Sequence, residues 1–106
     1  MNKEINAPEA VILRNNNKEA VLLDVREHSE LMICRIEGAL HIPMDEVPEH
    51  HEALPRDAPL IVFCHHGMRS LNGVQYLEAI GFENALNLAG GIHAWAAEVD
   101  TEMKQY

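Results

Sequence analysis

At 106 residues the chain is long enough for one hydrophobic core and too short for two. Apolar residues make up 47% of it and charged residues 24%, the balance of a folded globular protein and not of a disordered tail. A formal net charge of −9 repels phosphate backbones and anionic lipid surfaces, which argues against nucleic acid and membrane partners.

The longest clean apolar stretch, Leu60 to Cys64, is far below the ~20 residues of a membrane span. The start, Met1-Asn2-Lys3-Glu4-Ile5-Asn6, carries an early acid and no long apolar region, unlike a secretory signal. A cytoplasmic location with reduced thiols is therefore expected, and Cys34 and Cys64 are read separately. The acids are spread without a block of like charge, which favours a solvated surface over an acidic docking tail and leaves a basic partner protein open.

Strand-like and helix-like runs alternate along the chain, the pattern of a parallel sheet with crossover helices. Asn6 is placed to cap a first helix that has Ala7 and Pro8 in its opening turn and ends before Asn15-Asn16-Asn17. Ala20 to Asp24 reads as a buried strand, Glu27 to Ile33 as a short helix, and Ala39 to Ile42 as a strand stopped by Pro43. Asp45 to Ala53 reads as a further helical piece, against which Pro48 argues. Pro59 to Phe63, apolar throughout, is the strongest strand and belongs in the middle of the sheet. Leu71, Val74, Leu77 and Ile80 then recur at helical spacing, from a helix start near Arg69 to a stop at Gly81. Ala85 to Leu88 gives a last strand, Gly90-Gly91 a turn, and Ile92 onward a final helix.

Between the central strand and the helix after it lies Cys64-His65-His66-Gly67-Met68-Arg69-Ser70. A cysteine at a strand end, a short loop with a glycine and a helix N-terminus form a cradle for an anion, because successive N–H groups turn inward and the helix contributes about half a positive charge. A free thiol has a pKa of ~8.5, and such surroundings lower it and make the sulfur anionic and accessible. The plain alternative, a small hydrophobe ending a buried strand, leaves Gly67 and Arg69 without a purpose. Two readings stay open for His65 and His66: imidazoles that stabilise the thiolate, or exposed loop side chains. Met68 fits loop packing or an apolar rim.

Four segments in order now resemble the rhodanese family, in particular its single-domain prokaryotic members. They are Leu22-Leu23-Asp24-Val25-Arg26-Glu27, Ile36-Glu37-Gly38-Ala39-Leu40-His41-Ile42-Pro43, the loop pattern Cys-x-x-Gly-x-Arg-Ser at Cys64, Gly67, Arg69 and Ser70, and Gly90-Gly91-Ile92-His93-Ala94-Trp95. The resemblance implies an α/β fold in which residues 1–106 form a single rhodanese-like domain, a five-stranded parallel sheet flanked by helices. It implies a sulfurtransferase in which Cys64 is the catalytic residue and carries a persulfide. The N–H groups of His65, His66, Gly67, Met68 and Arg69 would line the pocket, and the Arg69 side chain would favour an anionic donor such as thiosulfate. The acceptor would be a thiol, cyanide or a sulfur-carrier protein, with no metal and no organic cofactor.

Asp24 and Arg26 are better read as ordering a turn, Trp95 as core, and Cys34, inside the run Leu31-Met32-Ile33, as packing. Relatives often carry Gly-His where this chain has Cys34-Arg35, so the end of the short helix is open. A dual-specificity type phosphatase shares the cysteine, helix terminus and arginine but has a longer loop. Only His65, His66, Gly67 and Met68 stand between Cys64 and Arg69, a ring suited to one added sulfur. A persulfide relay to a carrier protein, or a partner-binding module with little turnover, is the competing function. Seven histidines raise metal binding, yet His50-His51 and His65-His66 lack the spacing of a helical ligand pair, and scattered surface histidines are expected.

Overall fold

The computed structural model describes residues 3–106. Five parallel strands make one sheet: β1 (Glu4–Ile5), β2 (Val21–Asp24), β3 (Leu40–His41), β4 (Leu60–Phe63) and β5 (Ala85–Leu88), in the spatial order β1-β5-β4-β2-β3. The α-helices are α1 (Ala7–Asn16), α2 (His28–Leu31), α3 (Val47–His50), α4 (Met68–Ala79) and α5 (Gly91–Glu98). No helix among the described residues is long and apolar enough to cross a membrane.

Strand β4 lies between β2 and β5 and is buried on both faces, as its continuous apolar sequence requires. Successive side chains of a strand point to opposite faces, and the core divides accordingly. Leu23, Leu60, Val62 and Cys64 join Val74 and Leu77 of α4 on one side, while Leu22, Ile61 and Phe63 join Ala7 and Ala10 of α1 and Ile92 and Trp95 of α5 on the other. Because β4 is central, the residue after it, Cys64, emerges at the carboxyl edge of the sheet, where open α/β folds bind ligands.

The helix borders follow local chemistry. Asn6 caps α1 through a reciprocal box, accepting from the Glu9 N–H while its own N–H donates to the Glu9 carboxylate. The helix runs through Asn15 and Asn16, which the sequence places in a loop; it stops at Asn17, whose side chain donates back to the Leu13 carbonyl at 2.9 Å. Asp45 to Ala53 is helical in pieces, a 3₁₀ turn on each side of α3 (Met44–Glu46 and His51–Ala53). Pro48 is tolerated because it stands in the first turn of α3, where its missing N–H has no partner to lose. Gly81 ends the region of α4 with φ +102°, as its place in the sequence predicts. Strand β1 is an addition to the sequence reading: two residues long, it is held by parallel pairing of Glu4 and Ile5 with Asn87 and Leu88.

Candidate active site

Cys64 closes β4, and the chain turns through His65, His66 and Gly67 into α4. Gly67 adopts φ +108°, a left-handed conformation that a side chain disfavours, and this turn aims its N–H at the Cys64 Sγ at 3.1 Å. Ser70, one turn into α4, gives its N–H to the same sulfur at 3.4 Å, and its hydroxyl lies 3.4 Å away. Burial pushes the thiol up, but the Ser70 hydroxyl and the amides of Ser70, Gly67 and Arg69 outweigh it and hold Cys64 below its ordinary pKa. Besides its apolar neighbours in the core on the α4 side, this sulfur has N–H donors at a helix N-terminus.

Two differences from the sequence reading matter. The sulfur was expected to be accessible, whereas Cys64 is 1% exposed, because the loop folds over it and the start of α5 packs against the loop backbone. Among the amides expected to line the pocket, that of Gly67 hydrogen-bonds the sulfur and that of Arg69 helps to lower its pKa, while Ser70, for which the sequence reading gives no role, supplies both an amide and a hydroxyl. His65, His66 and Met68 make no hydrogen bond to Sγ, and Met68 is 74% exposed at the rim.

The Ser70 hydroxyl has one proton and two acceptors. Its other partner is Asn87 Oδ1 on β5; Asn87 is fixed in that orientation because its NH₂ donates to the Gly67 carbonyl at 3.2 Å and to Glu4 Oε2 at 2.9 Å. With a single proton, the Ser70 hydroxyl donates to the sulfur or to Asn87 Oδ1, not to both at full strength.

The Arg69 side chain is paired. Its guanidinium makes two parallel hydrogen bonds to Glu30 at the end of α2, 2.7 and 2.8 Å long, while remaining 41% exposed. Arg69 holds the Glu30 carboxyl down to about 2 despite its burial, and the Glu27 N–H and the Tyr106 hydroxyl add to the effect. Tyr106 accepts from Arg26 at 2.8 Å and donates to Glu30 at 2.8 Å; burial first, then that donation, pushes its phenol up to about 12. Arg26 is itself buried, held by Asp24 on β2 at 2.8 Å and by the Cys34 carbonyl at 2.8 Å. A chain of polar contacts thus runs from inside the sheet to the mouth of the loop. Cys34 sits at its side, packed against the core on the α1 and α5 face, and Trp95 lies in that same core.

His65 is sandwiched, its ring stacked on Tyr106 at 3.8 Å and 5° and facing His66 at 3.9 Å. Burial, and after it the neighbouring His66, keeps its pKa below the ordinary imidazole value. The fold adds a third ring that sequence spacing does not show: His93 of α5 lies 4.9 Å from His66 and 6.2 Å from His65.

A strand-end cysteine beside amides at a helix start, on a five-stranded parallel sheet, is the arrangement that the sequence reading expects. The Rhodanese-like domain family matches residues 7–98, and the chain belongs to it. YtwF of Bacillus subtilis (strain 168) is 40% identical over 82 residues, 77% of this chain and 79% of that protein. The thiosulfate sulfurtransferase GlpE of Vibrio cholerae serotype O1 (strain ATCC 39541 / Classical Ogawa 395 / O395) is 30% identical over 92 residues, 87% of this chain and 84% of its own. Among solved structures, a rhodanese-like domain protein from Staphylococcus aureus superimposes with a TM-score of 0.83 at 32% identity, over 98% of each chain.

Proposed function

We propose that the chain is a sulfurtransferase that moves a sulfane sulfur from an anionic donor of the thiosulfate kind through a persulfide on Cys64. The observation that carries this reading is the hydrogen bonding of Cys64 Sγ by the Gly67 and Ser70 amides at the start of α4, which favours a thiolate. The Cys64 thiolate attacks the outer sulfur of thiosulfate. A new S–S bond forms, the donor's S–S bond breaks, and sulfite leaves with that electron pair. The persulfide's terminal sulfur is anionic in turn, and the amides of His65, His66, Gly67, Met68 and Arg69 are the groups that would surround it. Cyanide, a thiolate or a carrier-protein thiol then attacks the terminal sulfur and restores the Cys64 thiolate. No net electrons are gained or lost by the protein over the cycle.

The near-complete burial of Cys64 suits a substrate that presents one sulfur atom at a time. The four residues His65, His66, Gly67 and Met68 between Cys64 and Arg69 enclose little beyond it, so hydrolysis of aryl phosphates is not expected. Intact mass spectrometry tests the proposal. The wild-type chain should gain the mass of one sulfur atom on treatment with thiosulfate and lose it on adding cyanide, with thiocyanate released; Cys64→Ser should do neither. A wild-type chain that forms no persulfide with thiosulfate or any organic thiosulfonate, or a Cys64→Ser chain that still transfers sulfur, overturns it.

A further inference from the structure

His65, His66 and His93 place one potential ligand nitrogen each within 4.8 Å of the others. We propose that these three imidazoles form a site for one divalent transition-metal ion of the zinc class on the outer side of the Cys64 loop. The proposal is independent of sulfur transfer, since none of the three side chains hydrogen-bonds Sγ.

The backbone sets the cluster up. The His93 N–H donates to the His65 carbonyl at 3.0 Å and the Ile92 N–H to the Cys64 carbonyl at 2.8 Å, so the start of α5 is zipped to the loop and two of the three histidines share a peptide hydrogen bond. Gly91 permits that approach: at φ +59° it has no Cβ, and one placed there would overlap the carbonyls of Cys64 and His65. Tyr106, stacked on the other side of His65, limits the rotation of that ring.

A second observation points to a ligand. His65 Nε2 is buried and has no hydrogen-bond partner, an unusual state for a ring nitrogen beside two other imidazoles. His66 and His93 are exposed, so an ion would reach the cluster from solvent, and rotation of these two unburied rings would have to bring their nitrogens to the ~2.0–2.1 Å that zinc requires. Three neutral nitrogens and no carboxylate select for zinc, nickel or copper over magnesium or calcium. The net charge of −9 raises the local concentration of any such cation. Three protein ligands leave the fourth tetrahedral position to water or an added anion. The ion would join the loop to α5 and so stabilise the folded chain.

Zinc chloride is the probe, titrated calorimetrically into the reduced chain at pH 7.5, with the melting temperature followed in parallel. One zinc per chain is expected, with Tm rising by roughly 4 °C or more at saturating metal. His66→Gln and His93→Gln, both at exposed positions, should weaken binding at least about tenfold and abolish the Tm rise, while His50→Gln, away from the cluster, changes neither. Cys64→Ser should bind zinc as the parent does. Absence of saturable binding in the wild type, binding that survives His93→Gln, or binding that disappears with Cys64→Ser would overturn the three-imidazole site.

Discussion

Arg69 and Glu30 meet fork to fork, Nη1 on Oε1 at 2.7 Å and Nη2 on Oε2 at 2.8 Å. The guanidinium at the mouth of the cysteine loop is therefore already paired with a carboxylate. Glu30 orients it, since the carboxylate is held by the Glu27 N–H and the Tyr106 hydroxyl.

Removing either partner should separate orientation from charge. Arg69→Ala should lower kcat/KM for thiosulfate by about 10- to 100-fold, the cost of losing one charge-assisted contact. Its melting temperature should fall only slightly, because an ion pair with a 41% exposed guanidinium adds little to stability. Glu30→Gln removes an acid from the site and should lower KM for thiosulfate by about two- to fivefold. Steady-state kinetics with thiosulfate and cyanide decide it. An unchanged KM in both variants would mean that Arg69 meets no donor.

Glu30 also predicts the acid limb of stability. Its folded-state pKa of about 2 lies below the ordinary carboxylate value, so its contribution is complete above roughly pH 4.5 and disappears as pH falls toward 2. Wild type should exceed Glu30→Gln in unfolding free energy at pH 6, and the gap should close between pH 4.5 and 2. Urea titrations across that range measure it; a gap independent of pH would place the stabilisation in packing and not in charge.

For Cys64 the sign is the same and the window higher. A thiol held below its ordinary value contributes stability that is complete above ~8.5 and fades as pH falls through the lowered pKa. The thiolate absorbance in the ultraviolet, taken as wild type minus Cys64→Ser, should titrate below ~8.5. Ser70→Ala removes a hydroxyl 3.4 Å from the sulfur and should move that titration upward and slow persulfide formation by about tenfold. Absorbance is the proper readout because a 1% exposed cysteine reacts slowly with alkylating reagents whatever its charge.

Two glycines should respond very unequally to the same change. Gly91→Ala puts a Cβ against the Cys64 and His65 carbonyls at a positive φ, and should cost about 2 kcal/mol or more while loosening the loop. Gly73→Ala, inside α4, crowds the flexible end of Met44 at 3.2 Å, makes an ordinary contact with Val62 at 3.8 Å and gains helix propensity, so it should be within about 1 kcal/mol of wild type. Chemical denaturation with matched activity assays tests both; equal losses would refute the close-approach role of Gly91.

Sequence legibility tracked contact distance. The uninterrupted apolar run at β4, the helical spacing of Val74 and Leu77, and the Cys64, Gly67 and Arg69 spacing are local signals, and each has its structural counterpart. Strand β1 was missed because two residues carry no period; only its pairing with Asn87 and Leu88 makes it a strand. Glu30, Asn87, Tyr106 and His93 reach the site through tertiary contacts, from positions far along the chain from the loop. No periodicity links such residues. Ser70 was visible as part of the loop motif, and its role follows only once α4 is seen to turn its hydroxyl back toward the sulfur.

The loop is braced from both outer reaches of the described chain: Glu4 of β1 holds Asn87, which holds Gly67 and Ser70, and Tyr106 lies on His65 and bonds Glu30. These contacts span 83 and 76 positions, so they form only after the intervening chain has closed its largest loops. The surroundings of Cys64 are therefore expected to form late in folding and to be sensitive to fraying of either flank. Local openings that release the edge strand β1 or the segment around Tyr106 would leave the β5-β4-β2-β3 pairing in place and uncouple the sulfur's surroundings from it, so amide exchange in Gly67 and Ser70 should follow the flanks more closely than it follows β4.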